Sequence, residues 1–166
     1  MIYYLIASIL IAVAALFDRT KRAVLAAGIL FYAVQIAAAG LLLWGGLYDT
    51  TSAAFFTFDA LGTLFYLLLV VVSMYVFGHS EAYLQGEDLR SYRLYFALLM
   101  LLTTAIAGAY FANNLAVTWI FLEATTLCSA GIIYHRRTAQ ALEAAWKYVF
   151  VCSTGIAMAY LRSAEH

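Results

Sequence analysis

The chain has 166 residues, of which 66% are hydrophobic, 11% are charged and none is proline. Its mean hydropathy of +0.91 lies far outside the balance of a soluble domain. Nine basic residues offset nine acidic ones, so no basic field exists to attract nucleic acid; the composition predicts an all-α, polytopic membrane helix bundle of about six spans.

The first predicted element, residues 1–17, is apolar from its start, and its basic residues Arg19, Lys21 and Arg22 follow it. A secretory signal has the opposite order, so the segment reads as a retained first span. Further apolar segments fall near 23–46, 60–78, 94–112, 115–134 and 141–161. Each is long enough to cross roughly 30 Å of hydrocarbon at about 1.5 Å per residue. Tyr3, Tyr4, Tyr48, Tyr83, Tyr92, Tyr110, Tyr134 and Tyr160 lie near the ends of these segments, where amphipathic rings meet headgroups. Asp59 opens the third span as a capping carboxylate. Asn113 and Asn114 join the fourth span to the fifth and are predicted to supply left-handed turn conformations. With a similarly short link from the fifth to the sixth, the last three spans are expected to form one bundle.

Orientation follows from the basic residues. Arg19, Lys21, Arg22, Arg90, Arg93, Arg136 and Arg137 all lie in odd-numbered loops, and the second and fourth loops hold none. The positive-inside rule therefore predicts cytoplasmic odd loops and an outside N-terminus, in a multi-pass protein of the cell inner (cytoplasmic) membrane.

Two ionisable residues fall at membrane depth. Glu123 stands in "AVTWIFLEATTLCSAGIIY" and Lys147 in "ALEAAWKYVFVCSTGIAMAYL". Counted from the cytoplasmic ends of their spans, they lie about 16 Å and about 9 Å deep at 1.5 Å per residue. Helix axes 8–10 Å apart then bring the two groups to around 10 Å or less, close enough that neutralising one shifts proton affinity at the other. A carboxylate inside a span is a functional candidate by default. The plainer readings are a buried acid for Glu123 and, for Lys147, a snorkelling side chain paired with Glu143 four residues earlier. Thr126 and Thr154 share helical faces with Glu123 and Lys147. Their hydroxyls suit either a polar seam that holds water or ordinary glue between membrane helices. His79 and His135 flank cytoplasmic ends. Cys128 and Cys152 lie in apolar runs without disulfide, zinc or cluster spacing and read as small packing residues.

The block "FANNLAVTWIFLEATTLCSAGIIYHRRTAQALEAAWKYVFVCSTGIAMAYL", above all "LEATTL" and "ALEAAWKY", resembles the antiporter-like membrane subunits shared by respiratory complex I, membrane-bound nickel–iron hydrogenases and multi-subunit cation/proton antiporters. The likeness is greatest to the hydrogenase branch of formate hydrogenlyase type, and "FDALGTLF" resembles the family's entry to its third helix. The resemblance implies that Glu123 and Lys147 belong to a buried proton path. Other membrane subunits of a hydrogenase or complex I-like assembly would be the partners, with the lipid bilayer and without nucleic acid. Family members are longer, with a broken seventh helix and a second inverted repeat, so this chain is expected to be a fragment or split subunit. On that reading residues 1–92 form N-terminal helices and residues 93–166 begin the proton-translocating module. No phosphate-binding glycine motif, cluster-ligand cysteine set or haem-spaced histidine pair occurs, so no cofactor is expected in this chain. A component of a sodium/proton antiporter and a structural scaffold are the competing functions.

Overall fold

The computed structural model describes residues 2–44 and 55–164. Its helices are α1 (Ile2–Phe17), α2 (Lys21–Leu43), α3 (Ala60–Tyr83), α4 (Leu89–Phe111), α5 (Leu115–Ile133) and α6 (Ala139–Ala164), with a 3-10 turn at Tyr134–Arg136. Helices α2 to α6 are long and apolar enough to cross a membrane; α1 is apolar but shorter, with 16 residues. Tyr48 lies outside the described residues.

Side-chain oxygens start most of these helices by satisfying first-turn amides. Thr20 accepts from the Ala23 amide at 3.2 Å, Asp59 from Gly62 at 3.1 Å, Asn114 from Ala116 at 2.9 Å and Thr138 from Ala141 at 3.1 Å. The role expected of Asp59 is therefore seen. Asn114 differs from expectation: its backbone is extended, at φ −132° and ψ 133°, because capping α5 requires non-helical β-region values rather than a left-handed turn. Among the described non-glycine residues, only Arg137 has a positive φ, 53°, where the chain leaves the 3-10 turn for α6. Helix α4 begins five residues earlier than the apolar pattern predicts: the polar turn Leu89–Arg93 is already helical, and Asp88 holds the N-cap position without a side-chain hydrogen bond to the first turn.

Helix α4 is the hub. It packs against α1, α2, α3 and α5, whereas α6 touches only α5 and the 3-10 turn. The last three spans thus form a row with α5 in the middle, not a three-way bundle. Tight α4–α5 packing removes one face of α5 and leaves the opposite face for α6. Two apolar clusters fill the hub, one around Val24, Phe31, Tyr92, Phe96 and Met100, the other around Leu5, Leu42, Phe56, Tyr66 and Phe111. Tyr92 is buried here instead of facing headgroups. Tyr4 turns inward as well: it and Tyr66 donate to Oε1 of the fully buried Gln35 at 2.6 and 2.7 Å. Hydrogen bonds of this kind between membrane helices contribute about 0.6 kcal/mol each on average, and these join α1, α2 and α3.

The odd loops are tied together at one end. Lys21 donates to the Glu87 carbonyl at 2.7 Å, Arg93 to the Asp18 carbonyl at 2.8 Å, and Arg136 pairs with Glu87 at 3.6 Å. At the other end Thr57 N–H donates to the Phe111 carbonyl and Asn113 N–H to the Phe55 carbonyl, at 2.9 and 2.8 Å. All basic residues of the odd loops thus belong to one end of the bundle.

Close helix approach depends on small residues. A Cβ placed on Gly108 of α4 would overlap the Phe121 ring of α5. Gly108→Ala is therefore expected to destabilise the chain by about 1–3 kcal/mol, the usual cost of overpacking. Thermal unfolding in detergent should show a lower midpoint; an unchanged midpoint would mean that Phe121 rotates away freely.

Candidate functional site

Helix α5 is apolar around most of its circumference, so it serves two neighbours at once. Thr126 and Ala130 are its buried residues, and Phe121 meets Gly108 on α4. On its other side the Trp119 ring lies 5.6 Å from that of Tyr160 on α6. Glu123 sits near the middle of α5, roughly 12 Å from one end and 15 Å from the other at 1.5 Å per residue.

The Glu123 carboxylate is half-buried, and its Oε2 accepts a hydrogen bond from Ser153 Oγ of α6 at 2.8 Å. This contact joins two spans at mid-depth. Ser153 was not among the residues that the sequence singled out.

Lys147 is placed differently. Its Nζ pairs with Glu143 Oε1 at 2.5 Å, and both side chains are exposed, at 74% and 66%. At 3.6 residues per turn, Lys147 points about 120° around α6 from Ser153. The hairpin register that sets Glu123 beside Ser153 puts Lys147 level with Ser129, roughly 9 Å further along the axis. Glu123 and Lys147 accordingly have separate partners, and no direct hydrogen bond or ion pair joins them. The Lys147–Glu143 contact is the intrahelical pair that the spacing allowed.

The threonines bond within their own helices. Thr126, buried, donates to the Leu122 carbonyl at 3.2 Å, and Thr154, exposed, donates to the Phe150 carbonyl at 2.6 Å. Such back-bonding satisfies a hydroxyl in an apolar setting. Cys128 and Cys152 are free thiols, both half-buried, and the described residues contain no cluster of ligands able to hold a metal.

At the odd-loop end an open polar cavity of about 700 Å³ is lined by Glu87, Asp88, Arg90, His135, Arg136 and Arg137, among others. His135 is buried between the rings of Tyr83 and Tyr95, with Nδ1 on the Ile132 carbonyl at 2.8 Å. His79 is exposed on α3. On the α5 side the cavity begins at His135, roughly 18 Å along the axis from Glu123 at 1.5 Å per residue, and Glu87, Asp88, Arg90 and Ser91 line it from the α3–α4 turn and the start of α4, so the cavity and the carboxylate are separate features.

The chain is similar to a curated relative, the hydrogenase-4 component F homolog of Methylacidiphilum infernorum (isolate V4). The two are 30% identical over 112 residues, covering 64% of this chain and 24% of that protein. The chain thus spans about a quarter of the length of the curated relative it matches. No family model and no solved structure matches it. Helices long and apolar enough for a multi-pass membrane protein, together with this likeness, agree with the antiporter-like membrane-subunit resemblance at the level of a partial similarity.

Proposed function

We propose that the chain is a membrane subunit, or part of one, in a hydrogenase-like redox complex, and that it relays protons through Glu123 with Lys147. The observation that carries this reading is a half-buried carboxylate at mid-depth in α5, hydrogen-bonded across to α6. A packing role is served more cheaply by a neutral group, because a carboxyl in hydrocarbon must be either paired or protonated. The likeness to a hydrogenase-4 component homolog supports a redox assembly as the setting. In this reading electron-transfer cofactors belong to partner subunits, residues 93–166 form the start of the translocating module, and residues 1–92 are the helices that support it. The deciding experiment is proton translocation by the assembled complex carrying Glu123→Gln. A sodium/proton antiporter component would instead show sodium-dependent proton movement in vesicles. A scaffold would leave translocation intact in that variant.

The same reading places the odd loops in the cytoplasm, supported by the seven basic residues gathered at one end. Single cysteines at the exposed positions Gln85 and Ala139, in a background without Cys128 and Cys152, should react with an impermeant thiol reagent only when the cytoplasmic side is opened. A label at Thr51, outside the described residues, should react from outside. The reverse pattern overturns the orientation.

A further inference from the structure

We infer that Ser153 is a positioning residue for Glu123, holding its carboxyl in the α5–α6 seam through both halves of a proton-exchange cycle. The inference rests on the relay reading of Glu123 and adds to it the group that keeps the carboxyl in place.

A glutamate side chain has three rotatable bonds, so a carboxyl in a half-buried seam needs a partner to stay in one place. The partner seen is Ser153 Oγ, 2.8 Å from Glu123 Oε2. Lys147 does not take this part, since its ammonium is engaged by Glu143 on another face of α6. Neither do the neighbouring threonines: Thr125, Thr126 and Thr154 donate to Leu122, Leu122 and Phe150 carbonyls.

A hydroxyl suits the task because it both donates and accepts, whereas an ammonium only donates. Toward an ionised Glu123, Ser153 donates its O–H. Toward the protonated acid, the serine oxygen can accept the carboxyl O–H, or its own O–H can stay on the carbonyl oxygen. The carboxyl therefore gains or loses its proton without leaving the seam. Ser153 itself transfers no proton.

The register of the hairpin makes this contact specific. Trp119 against Tyr160 fixes the outer part of the α5–α6 seam. Leu127, Ala130 and Gly131 of α5 border a common apolar groove with Leu142, Ala145 and Val149 of α6 on the inner part. Ser153 lies between these two stretches, so its hydroxyl is delivered to Glu123 by packing on both sides.

The test is infrared difference spectroscopy of the assembled complex in its membrane, comparing proton-loaded and unloaded states, with translocation measured in parallel. Loss of a carboxyl C=O band in Glu123→Gln assigns that band. In Ser153→Ala the band should move to higher wavenumber, because a hydrogen bond to the carboxyl is lost, and translocation should fall severalfold. Ser153→Thr, which keeps the hydroxyl, should retain the band position and most of the rate. Ser153→Cys, a weaker donor, should fall between the two. A band unmoved in both Ser153→Ala and Ser153→Cys overturns the positioning role while leaving Glu123 as the relay. Absence of any Glu123 band in the wild-type complex overturns the relay and the positioning role together.

Discussion

Glu123→Gln in the assembled complex is expected to lower proton translocation by about 10²-fold or more, the size usual for losing one positioned proton-transfer group, while assembly is unchanged. Glutamine keeps the length of the side chain, and its amide oxygen can still accept from Ser153 Oγ, which lies 2.8 Å from the present carboxylate. What it loses is the ability to take up and release a proton. The surrounding packing gives no reason for collapse: Glu123 is half-buried, and the α4–α5 contact is carried by other residues, with Phe121 on Gly108 and the buried Thr126 and Ala130. Translocation should be read beside electron transfer and the amount of assembled complex. Translocation at the wild-type rate would make Glu123 a structural acid and would favour the scaffold reading. Loss of the whole complex would show instead that assembly needs the ionisable carboxyl itself, since glutamine keeps the hydrogen bond to Ser153.

Glu123 was legible because a carboxylate interrupts an otherwise apolar run, and that contrast survives any uncertainty in helix boundaries. Its partner was not. Serine is common in membrane helices, and nothing in "FVCSTG" distinguishes Ser153 from Thr154 until the hairpin register is fixed. The register was nevertheless recoverable in principle: α5 and α6 are antiparallel about a turn near Thr138, and reflection of Glu123 through that position falls on residue 153. Gln35 was missed for a related reason. Its burial depends on α1, α2 and α3 meeting at Tyr4 and Tyr66, a long-range fact that a single helical pattern does not contain. Tyr4 and Tyr92 were read as headgroup anchors because their position near span ends is visible in sequence, whereas the direction of their rings is not. The row-like order of α4, α5 and α6 escaped for the opposite reason to Glu123: a helix apolar on every side, such as α5, gives no sign of which faces are taken. Lys147 was legible as an anomaly. The i,i+4 spacing to Glu143 also anticipated the partner found.

Lys147→Met is expected to reduce translocation severely in the assembled complex, more than Glu143→Gln does, with assembly preserved in both. The geometry sets up this comparison, since Lys147 and Glu143 form an exposed intrahelical pair. Such pairs contribute only about 0.3–0.5 kcal/mol to a helix. Breaking the pair therefore does little to folding, and any large effect of either variant reports on function. If Lys147 takes part in proton movement, the loss of its amine removes an exchangeable proton and a positive charge from α6, whereas Glu143→Gln removes only the counter-charge. Lys147→Arg then separates charge from proton release. Guanidinium keeps the positive charge and can still meet Glu143, but it stays protonated at any working pH, so translocation should fall at least partly. Full activity in Lys147→Arg, together with equal losses in Glu143→Gln and Lys147→Met, would reduce Lys147 to the counter-ion of Glu143. The relay would then rest on Glu123 and the hydroxyl that holds it.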